Sequence, residues 1–247
     1  MPDATAAAPP RHLRREGVVV VGALVTLVAL GDTLLAPWSP FILAHAALAI
    51  GLPLLWRTWS FGRITTVRRS SWALVLVVPI VFQVAASLWD GLLWPGMVRF
   101  AGVDDATSRG AYYTLTAALP AIFDAGAAHL GWPVERVTGL YFAFILVWAG
   151  LGEELFYRGY MYGTLRIRGC GAVRAALVSS ALFGLRHAAQ LAPVHPYPVW
   201  AAISWVVIAF LTGLALAWIY ERCASLWPPV LAHYLFNLIP AVSLLFS

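Results

Sequence analysis

The chain has 247 residues, 61% of them hydrophobic and only 11% charged, with a mean hydropathy of +0.80. A soluble domain carries about 25% charged residues, so the composition excludes that class and implies an integral membrane protein. The net charge of +5 is carried by arginines in short segments between apolar runs, a topology signal and not a nucleic-acid-binding surface.

Residues 1–16 are rich in Ala and Pro, end in Arg11, Arg14 and Arg15, and read as a disordered cytoplasmic tail. Residues 17–35 are the first apolar run, an uncleaved anchor or a signal peptide. A Pro-Trp-Ser-Pro turn (37–40) leads to a short second span at 41–56. Residues 57–69 carry Arg57, Arg63, Arg68 and Arg69 and should face the cytoplasm. The third span is 72–94, with Trp89, Asp90 and Trp94 expected at its far headgroup interface.

Residues 97–133 are only patchily apolar and hold Asp104, Asp105, Pro120, Asp124 and His129. If 111–131 spanned, the arginines at 166, 168 and 174 would fall outside, against the positive-inside rule. This segment is therefore expected to be peripheral or re-entrant. Further spans follow at 137–160, 172–191, 199–220 and 226–246, with an outer loop at 193–198. The expected fold is all-α, a polytopic transmembrane helix bundle of about seven spans, or eight if 111–131 crosses. Its N-terminus is inside. Cys170 and Cys223 sit beside arginine-bearing turns and imply no disulfide framework.

The run Gly150-Leu-Gly-Glu-Glu-Leu-Phe-Tyr-Arg-Gly159 closes an apolar segment with two carboxylates and an arginine. Each charge at a helix centre costs about 2.5–3.5 kcal/mol on translocon scales. Glu154 and Arg158 stand four apart, glutamate first, as an ion pair on one face prefers. Glu153 lies about 100° around the helix and has no partner at that spacing. It reads as the free carboxylate, unless all three residues form an ion-paired helix end at the headgroup level.

Two later spans also carry unexplained polar groups: His187 in Phe183-Gly-Leu-Arg-His187, and His233 with Asn237 in His233-Tyr-Leu-Phe-Asn237. A lone intramembrane histidine is often a packing residue, and an asparagine can be interhelical glue. Together with a free carboxylate, though, they supply the base, proton carrier and oxyanion donors of amide hydrolysis. One or two Glu with two His also make a plausible zinc set with an open water position, although His-Glu-x-x-His is absent. Arg186 has no assigned place. It snorkels, pairs with Glu153 or Glu154, or contacts an anionic part of the substrate or a lipid headgroup. Glu153 is expected in the inner half of its helix, and His187, about fifteen residues into the fifth helix, somewhat deeper.

Glu-Glu-x-x-x-Arg (153–158), Phe-x-x-x-His (183–187) and His-x-x-x-Asn (233–237), in that order, resemble the CPBP family. These are the CAAX prenyl protease type II and bacteriocin-processing intramembrane proteases, also called the Abi family. The resemblance covers 137–247, the expected catalytic bundle. Residues 17–136 then form N-terminal helices plus the peripheral segment. The resemblance implies a glutamic-type endopeptidase in which Glu153 activates water with His187, His233 and Asn237 stabilise the oxyanion, and Glu154–Arg158 is a supporting pair. It implies no cofactor, with zinc as the alternative. The implied partners are the lipid bilayer and a membrane-tethered protein or peptide, for instance one with a C-terminal sorting signal, and no nucleic acid. The arginine-rich, lysine-free composition points to a bacterial cytoplasmic (inner) membrane and away from a prenylated substrate. Competing functions are a non-catalytic scaffold or immunity protein on the same fold, and a transporter using the carboxylates as a proton relay.

Overall fold

The computed structural model describes residues 17–26, 47, 51, 67, 69–102, 111–144, 150–188 and 199–245. Every regular element among them is helical. Helix α1 is Gly17–Thr26. Helix α2 (Arg69–Leu88) runs through a π-helical stretch, Trp89–Leu93, into α3 (Trp94–Phe100). A hairpin of α4 (Ala111–Leu130) and α5 (Val134–Phe144) turns at Gly131, whose φ of 64° suits a residue without a Cβ. Residues 150–162 are helical, with a π-helical stretch at Leu155–Tyr162 that passes into α6 (Gly163–Ile167). Helices α7 (Ala172–His187), α8 (Val199–Cys223) and α9 (Trp227–Leu245) complete the bundle.

Among the described residues, two helices are long and apolar enough to cross a membrane, Ser71–Phe100 and Val199–Cys223. They correspond to the expected third and sixth spans. Helices α7 and α9 occupy the expected fifth and seventh. The tail (1–16), the second span (41–56) apart from residues 47 and 51, the 193–198 loop and Asp104 and Asp105 lie outside the described residues. Within the segment expected to span at 137–160, the described residues 137–144 and 150–160 are helical. The latter stretch runs on to Ile167, because nothing in 163–167 breaks it before Gly169, at φ 76°.

Small residues hold the centre of the bundle. A Cβ on Gly213 would come within 2.8 Å of Ser180, and one on Gly184 within 2.8 Å of the Val206 carbonyl. Helices α7 and α8 therefore touch nearly backbone to backbone, as helices in lipid do where small side chains permit. The stretch Leu155–Tyr162 is buried at every residue against this pair. At its C-terminal end the Tyr162 hydroxyl donates to Glu221 Oε2 at 2.5 Å, and Arg166 pairs with Glu221 at 2.8 Å.

Asp90, expected at a headgroup interface, is buried within the bundle. The π turn carries it toward α8, where Ser204 Oγ donates to Asp90 Oδ1 at 3.2 Å and Trp89 Nε1 donates to Ser204 Oγ. Trp94 is likewise buried and stacks at a tilt on Trp89.

Candidate active site

The helical stretch that includes Gly150 delivers two adjacent carboxylates to the bundle interior, 3% and 0% exposed at Glu153 and Glu154. Buried charge is tolerated only when it is paired and hydrogen-bonded. Glu154 meets this condition locally: Arg158 Nη1 donates to its Oε1 at 2.8 Å, the pair expected from the four-residue spacing. Arg158 also donates to the Gly213 carbonyl at 3.1 Å and lies over the Phe183 ring, its Cζ 4.5 Å from the centroid. This arginine, fully buried, thus ties its own helix to α7 and α8.

Glu153 is not free, as its helix alone suggested. Arg186, from α7, donates to Glu153 Oε1. The partner is 33 residues away on another helix, so no local spacing could reveal it. Among the alternatives open for Arg186, the ion pair with Glu153 is the one observed. Glu153 Oε2 makes no hydrogen bond and lies 3.8 Å from His233 Nε2.

His233 stands between the two glutamates. Its Nδ1 is 2.8 Å from Glu154 Oε1, so Glu154 bonds both Arg158 and the imidazole. A carboxylate oxygen can only accept, which places the proton of this contact on Nδ1 and turns Nε2 toward Glu153. His187 is fixed differently. Its Nδ1 lies 2.7 Å from the Phe183 carbonyl, one turn back on α7. That carbonyl also can only accept, so Nδ1 carries the hydrogen and Nε2 keeps its lone pair.

Phe183 is the common floor. Its ring centroid is 4.4 Å from that of His187, 5.8 Å from His233 and 5.2 Å from Tyr157. Above it opens a small cleft of about 70 Å³. His187, His233 and Asn237 line this cleft, with Trp205 and Thr212 of α8 and Phe82 and Gln83 of α2. Glu153 is not on its wall but behind His233 and Arg186. The Asn237 amide has no hydrogen-bond partner among the described residues and is half-buried beside the cleft.

The depth mismatch expected between Glu153 and His187 is absent. Glu153 precedes the turn at Arg168 by 168 − 153 = 15 residues, and His187 follows Gly171 by 187 − 171 = 16. Both sit nearly the same number of residues from one connection, and Arg186 spans the gap between their helices. Zinc would need several ligands to converge. A guanidinium occupies one oxygen of Glu153, and among the described residues no three His, Cys, Asp or Glu side chains form a metal-holding group. Cys170 and Cys223 are free thiols away from the site.

Chain order had already suggested Glu153, Glu154, Arg158, His187, His233 and Asn237, and these stand around one floor. The contribution of α2 went unseen, although Gln83 is the one amide in an otherwise apolar run, 73–86. Residues 135–239 match the family model described as type II CAAX prenyl endopeptidase Rce1-like. This is a protease family, and the matched segment contains all three motifs. No curated protein and no solved structure matches the chain.

Proposed function

We propose, on the premise that residues 135–239 belong to the type II CAAX prenyl endopeptidase Rce1-like family, that this protein is an intramembrane endopeptidase. It hydrolyses a peptide bond in a membrane-tethered protein or peptide. The observation that carries this reading is the meeting of two histidines from separate helices with an unpaired amide at one cleft, directly in front of a buried carboxylate.

In this mechanism Glu153 takes a proton from a water that attacks the scissile carbonyl. Oε2, which lacks a hydrogen bond, is the oxygen available for that task. His187 Nε2, with its lone pair, helps hold the water and can pass the proton to the leaving amine. Asn237 and His233 donate to the oxyanion, His233 through Nε2 in its protonated form. Glu154 orients His233 through Nδ1, and Arg158 in turn holds Glu154. Arg186 neutralises Glu153 in an apolar surrounding and must shift its hydrogen bond as the water enters. A substrate carboxylate or lipid headgroup is a natural competitor for it.

No step in this scheme calls for a metal ion. The bundle has seven spans in a bacterial inner membrane with its N-terminus inside, and the substrate ends in a C-terminal sorting signal. The test is cleavage of a library of lipid-tethered peptides by purified protein in liposomes, read by mass spectrometry. Wild-type cleavage that survives chelator and disappears in Glu153→Ala is the expected result. Loss with chelator and recovery with zinc would transfer the mechanism to a metal. Absence of cleavage by folded wild type would favour a scaffold.

A further inference from the structure

A substrate cut inside the bundle brings its own difficulty. To reach the carbonyl, a stretch of its backbone must leave the helical state. Each freed N–H or C=O in a dry surrounding then costs several kcal/mol unless something bonds it. His187, His233 and Asn237 meet the scissile group from one side. The peptide groups beside it need partners from the other.

Helix α2, outside the segment that matches the family, also lines the cleft. Its residues there, Phe82 and Ala86, are apolar, as are Ile208 and Ala209 of α8 on the same lining, and the Thr212 hydroxyl of α8 is bonded to the Ile208 carbonyl of its own helix. Gln83 is different. It lines the cleft with the two histidines and Asn237, it is half-buried, and it has no hydrogen-bond partner among the described residues. An amide placed in a spanning helix as interhelical glue would have a partner on a neighbouring helix. The ring of Phe82 meets that of Phe236 edge-on at 5.1 Å. That contact fixes the turn bearing Gln83 against the turn bearing Asn237, since each amide directly follows one of the paired rings.

We propose that Gln83 is a substrate-binding residue that pairs with a backbone peptide group of the unwound substrate next to the scissile bond. A carboxamide side chain offers one acceptor and two donors. It can therefore accept from a peptide N–H and donate to a peptide C=O, whatever side chains the substrate carries. Two amides then act on one extended segment: Asn237 on the carbonyl under attack, Gln83 on its neighbour. The cleft selects unwound backbone over intact helix, because a helix has no peptide group to offer Gln83.

This inference rests on the endopeptidase reading, and one experiment separates the two. The probe is the best-cleaved member of the tethered-peptide library, remade as a set in which one backbone amide near the cleavage site is an ester, the scissile bond left intact. Wild type, Gln83→Met and Gln83→Leu are compared after thermal melts in detergent establish their fold. In wild type, one ester position lowers kcat/KM about tenfold. In both variants the all-amide peptide loses about the same factor, and that ester costs less than twofold. A full ester penalty retained in folded Gln83→Met, or wild-type turnover of the all-amide peptide by that variant, overturns the role of Gln83 while leaving the endopeptidase intact. Should wild type cleave no member of the library, the endopeptidase reading falls and Gln83 with it.

Discussion

The two longest apolar helices are nearly equal in mean hydropathy, 2.1 for Ser71–Phe100 and 2.2 for Val199–Cys223, yet 17% of one window is buried and 44% of the other. Hydropathy reports that a helix suits lipid, and it does not report which helix the bundle surrounds. Size decides that. The buried face of α8 is Ala201, Ala202, Ser204, Ala209, Thr212, Gly213 and Ala217 among larger residues, and neighbours can close on it. Helix α2 exposes Leu76, Val77, Ile80, Val81 and Val84 and keeps a single inward strip. That strip nevertheless carries Phe82, Gln83 and, beyond the π turn, Asp90.

Substitutions on the two sides of this contrast should differ steeply. Arg158→Leu removes the cation that binds both Glu154 and the α8 carbonyl of Gly213. Breaking a buried pair from one side costs about 3–5 kcal/mol, so the variant should lose its cooperative melt in detergent, and a wild-type melt would refute the tie. Gly213→Val pushes a side chain into Ser180, and overpacking of this kind costs about 1–3 kcal/mol. A melting temperature unchanged from wild type would show that α7 and α8 do not meet as closely as described. Ser204→Ala takes one donor from buried Asp90, worth about 1 kcal/mol, and should also free Trp89, with a shift in its fluorescence. Val77→Ala, on the exposed side of α2, should change stability by less than about 0.5 kcal/mol. A larger loss would place that face against protein.

The same contrast explains what the amino-acid sequence could reveal. Helix existence followed from apolar runs, and four of the expected spans coincide with described helices. The Glu154–Arg158 pair was legible because its geometry is local, four residues on one helix. The Arg186–Glu153 pair was not, because nothing in either segment specifies which neighbour it faces. The burial of Asp90 was hidden for a related reason. It lies within a π stretch, which departs from α-helical phase, and the partner that justifies burial, Ser204, is 114 residues away. Gln83 had a readable signal, a lone amide in an apolar run, but its importance depends on the cleft that three other helices complete.

The account's central claim is that two adjacent glutamates of nearly equal burial have different tasks, Glu153 in chemistry and Glu154 in holding His233 and Arg158. The most direct measurement is a paired one, peptide turnover and thermal melt for Glu153→Gln and Glu154→Gln in the same liposome and detergent systems. Glu153→Gln should lose about 10²–10⁴ in kcat, the usual yield of a general base, with a smaller drop in melting temperature than Glu154→Gln, because the Arg186 side chain keeps some exposure and Arg158 has none. Glu154→Gln should melt markedly earlier, since it leaves the buried Arg158 without its counter-charge. Retained turnover in Glu153→Gln, or a Glu154→Gln protein as stable as wild type, would contradict the division of roles.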